Sequence, residues 1–236
     1  MSLHTAFDDP AGKRAHVRGL FATIADRYDL ITAVLSYGLD ARWKRRLIDL
    51  AHVRRGERAL DLACGTGDIA LAAAVKGARV VGLDITYRML QLAARKGPAT
   101  TFMVGDMHCL PFAPATFDLV TTGYGLRNVP DLSTAIDEIA RVLRPGGRLL
   151  SLDFNRPRPA LIRGAYLGYL TVVGAALGWL LHRDPDTYRY IPASIRRYPG
   201  AEGVASLLAS RGFTGVKVVP LLFGLMTLHR AERALD

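Results

Sequence analysis

The middle of the chain alternates between short apolar runs and longer stretches in which apolar residues recur at helical spacing. The runs predict five strands, at 58–63, 78–84, 101–104, 117–122 and 148–154. The stretches between them predict helices at 67–76, 87–96 and 132–143, and residues 144–147 (Arg-Pro-Gly-Gly) predict a turn. Strands that alternate with helices over short connections indicate an α/β fold with a doubly wound, mostly parallel sheet.

The pattern changes on both sides of this core. From about Val17 to Leu50, apolar residues at helical spacing predict two or three amphipathic helices before the first strand. Near the end of the chain, residues 215–221 and 225–230 predict an antiparallel hairpin. We expect this hairpin to close the edge of the sheet.

Residues Gly164 to Leu181 contain no charged side chain. The length of this run is at the lower limit for a helix that spans a membrane. Glycines four positions apart, such as Gly174 and Gly178, match a packing motif of membrane helices. However, the run lies inside an α/β pattern whose last strands must return to the same sheet. We therefore expect a helical lid that is buried or lies at a membrane surface, rather than a transmembrane span.

Composition narrows the class of protein. A chain of 236 residues with 50% hydrophobic residues can bury a full α/β core and is not intrinsically disordered. The net charge of +10 favours an anionic partner or reflects an arginine-rich surface. No separate basic and aromatic module is present, so we expect no nucleic-acid partner.

The two cysteines, Cys64 and Cys109, have neither metal-ligand spacing nor the number that a disulfide framework requires. The first dozen residues lack the apolar core of a secretory signal. We therefore expect a cytoplasmic protein without a metal.

Candidate binding residues lie at the ends of successive predicted strands. Asp61-Leu-Ala-Cys-Gly65-Thr66-Gly67 follows the first strand, and Asp84 ends the second. A glycine turn lets a ligand approach the backbone, and an acid at the end of the next strand can accept hydrogen bonds from a ribose. This pairing predicts a cofactor that contains adenosine.

Three features favour S-adenosylmethionine over a nicotinamide dinucleotide. Asp61 would repel a pyrophosphate but attract the ammonium group of a methionine. After the third strand, Asp106 can accept a hydrogen bond from the adenine amino group, and Met107 can pack on the ring. The turn at 144–147 is typical of methyltransferases at this place in the order of elements. We predict that the cofactor contacts Asp61, Gly65, Thr66, Gly67, Asp84, Asp106, Met107 and Gly123.

Each acid also has a purely structural interpretation. Asp61 could be a helix N-cap or a loop acid, Asp84 could cap the helix that opens at Thr86, and Asp106 could belong to an Asx turn. For each residue alone, the two interpretations are equally supported. Three acids at three successive strand ends, the first beside a glycine turn, favour a ligand site.

Three longer motifs resemble those of the ubiquinone/menaquinone biosynthesis C-methyltransferases. Residues 123–129 (Gly-Tyr-Gly-Leu-Arg-Asn-Val) resemble the signature that follows strand four in that family. Residues 21–29, with Trp43-Lys44, are similar to its N-terminal motif, and residues 184–196 resemble its second signature. The resemblance covers nearly the whole chain. It implies a class I methyltransferase fold, which is Rossmann-like and seven-stranded, with N-terminal helices and a helical lid insertion.

We expect a single domain with four segments. These are an N-terminal helical cap at 1–56, a cofactor-binding core at 57–154, an apolar helical lid at 155–200, and a last helix with the closing hairpin at 201–236.

The resemblance implies S-adenosylmethionine-dependent methylation of a ring carbon in quinone biosynthesis. The acceptor would be a lipophilic, polyprenylated demethyl-hydroquinone, either demethylmenaquinol or the benzoquinol equivalent. Loss of a ring hydroxyl proton makes the neighbouring carbon electron-rich. We predict that Arg127 and Asn128 are catalytic. Arg127 stays cationic and can hold an oxyanion or a hydroxide-like water, and Asn128 can orient that water.

The structural alternatives are an ion pair between Arg127 and Asp131 and a turn role for Asn128. Tyr28 and Tyr188 either close over the ligands or pack in the core. His52, His108, His182 and His229 are predicted to be non-catalytic.

A lipophilic acceptor suggests a function for the uncharged run at 164–181. An apolar lid could dock at the headgroup level of the cytoplasmic face of a membrane, where such an acceptor resides. Other functions stay open. The acceptor could be another apolar phenol, a sterol or a natural product, or the chain could be an assembly subunit that binds S-adenosylmethionine without using it. A nucleic-acid methyltransferase is disfavoured, because strand four lacks an Asn/Asp-Pro-Pro-Tyr motif. The sequence leaves open whether the chain forms a homo-oligomer.

Overall fold

The computed structural model describes residues 9–97 and 99–235, so the predicted segments 1–56 and 201–236 lie partly outside the described residues. The helices are α1 (Pro10–Ile24), α2 (Tyr28–Leu35), α3 (Asp40–Ala51), α4 (Asp68–Val75), α5 (Tyr87–Lys96), α6 (Leu132–Val142), α7 (Ala160–His182), α8 (Tyr190–Arg197) and α9 (Gly200–Ser210). The strands are β1 (Arg58–Leu62), β2 (Arg79–Asp84), β3 (Thr101–Val104), β4 (Phe117–Gly123), β5 (Leu143–Phe154), β6 (Phe213–Leu221) and β7 (Met226–Arg233).

Within the described residues, seven strands form one sheet in the order β3-β2-β1-β4-β5-β7-β6. The first five are parallel, β7 runs antiparallel to β5, and β6 runs antiparallel to β7. The predicted α/β fold class, a doubly wound and mostly parallel sheet with N-terminal helices, is confirmed. The order of strands reverses between β1 and β4, and such a sheet binds ligands outside the carboxyl ends of its strands at that point.

One local prediction is wrong. The residues 144–147 were predicted as a turn before the fifth strand, but β5 already begins at Leu143. Leu143 pairs with Phe117 and Arg148 pairs with Leu119, so the four residues between them bulge out of the ladder. Gly146 has a φ of 72°, which a glycine adopts without strain, and pairing resumes after it.

Apolar side chains alternate across the strands and bury both faces of the sheet. Leu60 and Leu149 face the side covered by α6 and α9, whereas Ala59 and Leu150 face the side covered by α3 and α4. A further cluster lies away from these two faces and joins α1, α2, α7 and α8. The N-terminal helices and α7 are therefore held over the sheet by apolar contacts with one another.

The uncharged run forms most of α7, which has 23 residues. Among the residues that the structure describes, α7 is the one helix long and apolar enough to span a membrane, and 28% of its most apolar window is buried. A Cβ atom on Gly178 would clash with the carbonyl oxygen of Asp184, and one on Gly174 would lie 3.2 Å from Tyr188 Cβ. Gly174 and Gly178 therefore allow the chain that follows α7 to pack closely against this helix.

Gly178→Ala should destabilise the protein by about 1–3 kcal/mol, because the added methyl group must displace backbone near Asp184. Gly168→Ala on the same helix is the matched control, since a Cβ there meets no described atom within 4 Å. This second change should stabilise the protein by about 0.5–1 kcal/mol through helix propensity. Urea unfolding measures both changes, and equal effects of the two substitutions would contradict the close packing at Gly178.

Candidate active site

The glycine turn after β1 is fixed by the acid at the end of β2. Asp84 accepts hydrogen bonds from Gly65 N through Oδ2 (2.9 Å) and from Thr86 N through Oδ1 (2.7 Å). Asp84 therefore contacts Thr86, which is itself the N-cap residue of α5, and the same carboxylate also holds the glycine turn. Burial raises the pKa of this carboxyl group. Gly67 has a φ of 87°, and a Cβ there would lie 3.0 Å from Ala93 Cβ, so only glycine fits.

Asp61 lies beneath this turn with 1% of its surface exposed. Its Oδ1 accepts a hydrogen bond from Thr121 Oγ1 (2.8 Å), whereas Oδ2 has no hydrogen-bond partner among the described residues. Burial raises the pKa of Asp61 to about 7, although the bond from Thr121 opposes this change. Helix α4 begins at Asp68 with Gly67 as its N-cap, so Asp61 is not the N-cap residue, although a hydrogen bond from the backbone of Ala70 in the first turn of this helix also lowers the pKa of Asp61. A buried carboxylate oxygen without a partner is costly and suits a cationic ligand group.

Asp106 follows β3 and has partners on both oxygens. Its Oδ1 accepts a hydrogen bond from His108 N (2.9 Å), as expected for an Asx turn, and also lies 3.0 Å from His108 Nδ1. Its Oδ2 pairs with Nε of Arg14 at 2.7 Å. The structural interpretation of Asp106 is therefore observed, together with an ion pair to α1 that the sequence did not suggest. The neighbouring Met107 is buried.

Most of the predicted cofactor residues line two adjoining cavities. The larger, which we call the cofactor cavity, encloses about 700 Å³ of space that is partly open to solvent. Its wall includes His108, Asn128 and five of the predicted cofactor residues, which are Gly65, Asp84, Asp106, Met107 and Gly123. Asp61 and Thr66 line the smaller cavity, of about 290 Å³. Gly67 lines neither and instead shapes the turn. The unpartnered Asp61 oxygen, the acids and the thioether fit the ammonium, ribose and adenine groups of S-adenosylmethionine.

A second large cavity, which we call the acceptor cavity, encloses about 720 Å³ and shares Phe21, Tyr28 and Tyr124 with the cofactor cavity. Its described wall is apolar or aromatic apart from two hydroxyl side chains and Arg127. Tyr188 is almost completely buried and lines this cavity, and Tyr28 lies on the boundary between the two. The structure thus places Tyr28 between the two cavities and Tyr188 in the wall of the acceptor cavity alone, and both also pack in the apolar cluster of α1, α2, α7 and α8.

Arg127 is buried and held on several sides. Its Nη1 donates to Asn128 Oδ1 (2.8 Å) and Ser194 Oγ (3.1 Å). Its Nε lies 3.1 Å from Asp153 Oδ1, close enough for an ion pair but not aligned for a hydrogen bond, and its backbone N donates to Asp153 Oδ2 (3.1 Å). The guanidinium also lies over the ring of Phe154, 4.8 Å from the ring centre. Its position is therefore set by an acid, an amide, a hydroxyl group and an aromatic ring.

The expected structural alternative for Arg127 named the wrong acid. Asp131 caps α6, where it accepts hydrogen bonds from Ser133 N (2.9 Å) and Thr134 Oγ1 (2.6 Å). The partner is Asp153, near the end of β5. Burial raises the pKa of Asp153 to about 6, while the charge of Arg127 lowers it. We did not predict Asp153 from the sequence. Its position near the end of β5 is nevertheless the same kind of signal that identified Asp61 near the end of β1.

Asn128 is fixed by Nδ2, which donates to Tyr124 O (2.7 Å), and by Oδ1, which accepts from Arg127. It belongs to a short 3₁₀ turn, so its structural interpretation as a turn residue is also observed. Arg127 lines the acceptor cavity, whereas Asn128 lines the cofactor cavity. The two adjacent residues therefore lie on opposite sides of the boundary between the cavities.

A chain of polar contacts joins the N-terminal helices to the glycine turn. Tyr124 OH donates to Asp40 Oδ1 (2.6 Å), and Lys44 Nζ contacts both Asp40 (2.6 Å) and Asp68 (2.9 Å). Burial lowers the pKa of Lys44, but the nearby charges of Asp40, Tyr28 and Asp68 outweigh burial and raise it. Lys44 is consequently a fixed cation beside the small cavity that contains Asp61.

Helix α1 forms another part of the wall of the cofactor cavity. Arg14, Val17 and Phe21 line the cofactor cavity, and Lys13 Nζ donates to Val129 O on the loop that follows Asn128. Burial, with the charges of Arg127 and Arg197, lowers the pKa of Lys13 to about 8. Within residues 9–97 and 99–235, no group of three or more His, Cys, Asp or Glu side chains could hold a metal ion.

Asp61→Asn should stabilise the ligand-free protein at pH 8 by on the order of 1–3 kcal/mol, because it removes a buried charge whose Oδ2 has no described partner. The pKa of Asp61 is higher when folded (about 7) than when unfolded (about 3.9), so the wild-type free energy of unfolding falls as pH rises through this interval. The advantage of the variant should therefore shrink at pH 4–5.

Thermal unfolding at both pH values, without ligand, measures this difference. Asp49→Asn, at an exposed acid on α3, is the control and should change little at either pH. If Asp61→Asn destabilises the protein equally at both pH values, Asp61 is a paired structural acid instead.

Solved structures with the same fold include S-adenosylmethionine-dependent methyltransferases. One from Thermotoga maritima has a TM-score of 0.69 at 18% identity, covering 92% of this chain and 99% of that one. A Haemonchus contortus phosphoethanolamine N-methyltransferase in complex with S-adenosylhomocysteine has a TM-score of 0.63 at 17% identity, covering 92% of this chain and 60% of that one. At these identities the likeness concerns the fold alone.

Sequence relatives are much closer. A demethylmenaquinone methyltransferase of Thermus thermophilus is 40% identical over 220 residues, covering 91% of this chain and all of that protein. A ubiquinone/menaquinone biosynthesis C-methyltransferase UbiE of Serratia proteamaculans is 38% identical over 231 residues, covering 92% and 90%.

The model of the ubiE/COQ5 methyltransferase family matches residues 10–233. This match confirms the predicted family resemblance, the predicted methyltransferase activity and S-adenosylmethionine as the methyl donor. With nearly its whole length matched, the chain belongs to the ubiE/COQ5 methyltransferase family.

Proposed function

We propose that this methyltransferase methylates a ring carbon of a polyprenylated demethyl-hydroquinone, either demethylmenaquinol or the benzoquinol equivalent. The observation that carries this proposal is the aromatic acceptor cavity, which has Arg127 in its wall and shares Tyr28 and Tyr124 with the cofactor cavity. An uncharged, flat aromatic guest suits such a wall, since it can stack on tyrosine and phenylalanine rings. The names of the relatives, which refer to demethylmenaquinone and to ubiquinone/menaquinone biosynthesis, support the same class of acceptor.

The predicted cofactor residues have separate tasks in this proposal. Asp61 would accept from the methionine ammonium group, because its Oδ2 has no other described partner. Asp84 would accept from the ribose, and Asp106 with Met107 would hold the adenine. Gly65, Thr66, Gly67 and Gly123 would let the ligand lie close to the backbone. When bound, S-adenosylmethionine supplies an electrophilic methyl group, and the residues of this chain must present an electron-rich carbon to it.

Arg127 and Asn128 would supply that electron-rich carbon. Arg127 faces the acceptor cavity as a fixed cation, so it lowers the pKa of a nearby ring hydroxyl and stabilises the oxyanion that forms. Asn128, on the cofactor side of the boundary, would orient the water that takes the proton. Asp153 contacts both the backbone N–H and the side chain of Arg127 and would keep the guanidinium in place beside the cavity.

The acceptor's tail implies contact with a membrane. The side of α7 that faces away from the protein carries exposed apolar residues, including Leu161, Val172 and Trp179. A soluble helix normally carries polar residues on such a face. We propose that the 164–181 segment of this cytoplasmic enzyme lies on the headgroup region of the cytoplasmic face of a membrane, where the basic net charge of +10 would strengthen binding to anionic lipid.

Arg127→Lys should lower kcat by about 100-fold with either quinol, because lysine keeps the charge but cannot contact Asn128, Ser194 and Asp153 together. Binding of S-adenosylhomocysteine should not change. Transfer of label from S-adenosylmethionine to the demethylated naphthoquinol and benzoquinol, with product mass analysis, measures turnover.

Arg148→Lys is the matched control. Arg148 is also a buried arginine, paired with Glu57 at 2.7 Å, but it lies in the middle of β5, directly after the bulge, and lines none of the cavities described above. This variant should keep near-wild-type kcat even if it loses stability. If Arg127→Lys turns over normally, Arg127 has no role in catalysis. If the wild type methylates neither quinol, the proposed acceptor is wrong.

Val172→Asp should weaken membrane binding, because Val172 lies in the middle of α7 with 69% of its surface exposed. Placing a charge on this face should reduce the fraction of protein that floats with phosphatidylglycerol-containing vesicles by about tenfold. Val75→Asp is the matched control, since Val75 is 87% exposed at the end of α4 and should have no effect. Wild-type protein that stays unbound at physiological salt would contradict membrane contact.

A further inference from the structure

A shallow apolar groove lies on the surface beside the acceptor cavity. Its volume, which includes space open to solvent, is about 700 Å³, and its wall consists of Tyr37, Leu161, Ile162, Ala165, Tyr166, Tyr169 and Leu225. We call this the outer groove. Tyr37 and Tyr166 also line the acceptor cavity, so the groove and the cavity are neighbours that share two tyrosine side chains. No charged residue is part of the groove's described wall.

The first turns of α7 form the floor of this groove. Leu161 and Ala165 are one helical turn apart, and Gly168, Val172 and Ala176 continue the same exposed face at intervals of three and four residues. Tyr169 stacks on Tyr37 with ring centres 5.1 Å apart, which joins α7 to the turn after α2. The groove therefore belongs to the N-terminal end of the exposed face, whereas Ala176 lies three turns further along it.

The turn between β6 and β7 extends the apolar surface. Leu222 lines the acceptor cavity, Leu225 lines the outer groove, and Phe223 between them is completely exposed. Leu222 and Phe223 both have left-handed backbone conformations, with φ of 46° and 55°. Bulky residues rarely adopt this region, so the turn holds Phe223 outward against a backbone preference. Apolar surface thus continues from the inner cavity to the protein's exterior.

We propose that the outer groove binds the first isoprenoid units of the acceptor's tail as the tail leaves the acceptor cavity beside Tyr166. This inference rests on the proposed function. Three observations favour an uncharged, branched hydrocarbon as the occupant. The wall is apolar and aromatic, the groove adjoins the cavity that would hold the ring, and the exposed apolar face of α7 leads onward from it. The groove would therefore contribute to specificity by recognising the tail separately from the ring.

To test this proposal, the groove is filled by larger side chains at Ala165, which is not one of the proposed catalytic residues. Ala165→Leu and Ala165→Trp project into the groove from an exposed position on α7, and Ala176→Trp on the same helix face is the matched control. Methylation is assayed in detergent solution without vesicles, using a demethylated quinol with a long polyprenyl tail and the same ring without a tail. Ala165→Trp should lower kcat/KM for the tailed acceptor by about tenfold or more, with Ala165→Leu between it and the wild type. The tail-less acceptor should be unaffected, as should Ala176→Trp with either acceptor.

The other results each have a definite meaning. If the wild type has equal kcat/KM values for the tailed and the tail-less acceptor, the groove proposal is wrong, whereas the proposed function still holds. Equal losses for both acceptors in Ala165→Trp would also overturn it, because they would show a general structural effect. Equal losses in Ala165→Trp and Ala176→Trp would also overturn the groove proposal, because the effect would then belong to the whole exposed face of α7. Methylation of neither acceptor by the wild type would overturn the proposed function, and the groove proposal with it.

Discussion

The ion pair between Arg127 and Asp153 is the interaction on which the site depends. A guanidinium in an aromatic cavity is unfavourable unless a carboxylate compensates its charge, and Asp153 supplies that carboxylate from the end of β5. The pair also fixes geometry, since Asp153 contacts both the backbone and the side chain of Arg127. Asn128 is then held by Arg127 and by the carbonyl oxygen of Tyr124. A single buried pair therefore positions both residues that we propose to act on the acceptor.

Two further constraints shape the proposed cofactor cavity beside this pair. Asp84 fixes the glycine turn by accepting from Gly65, and the contacts of Tyr124, Asp40 and Lys44 attach the N-terminal helices to the same region. Asp61 is different, because its buried Oδ2 has no described partner and its pKa is raised to about 7. Such a residue lowers the stability of the free protein and strengthens the binding of a cation, which is a common compromise at functional sites.

Local sequence patterns predicted the strands, the parallel sheet and the strand-end acids, because each depends on residues close together in the chain. Asp61, Asp84 and Asp106 could be named since a parallel sheet brings its carboxyl ends to one edge. The partner of Arg127 could not be named, because Asp131 is four residues away in sequence whereas Asp153 reaches Arg127 only through the pairing of β4 with β5. The ion pair of Arg14 with Asp106 also depends on where a whole helix packs. The residues 144–147 were mistaken for a turn because a bulge and a turn have the same glycine signature.

The proposed function places the methyl group of bound S-adenosylmethionine at the boundary between the two cavities, beside Tyr28 and Tyr124. Nuclear Overhauser effects from a ¹³C-labelled methyl group of bound S-adenosylmethionine, measured without acceptor, test this position directly. The expected result is an effect to the ring protons of Tyr28 and of Tyr124, which line both cavities. A bound methyl group that shows no effect to either ring, but contacts side chains elsewhere, would contradict it.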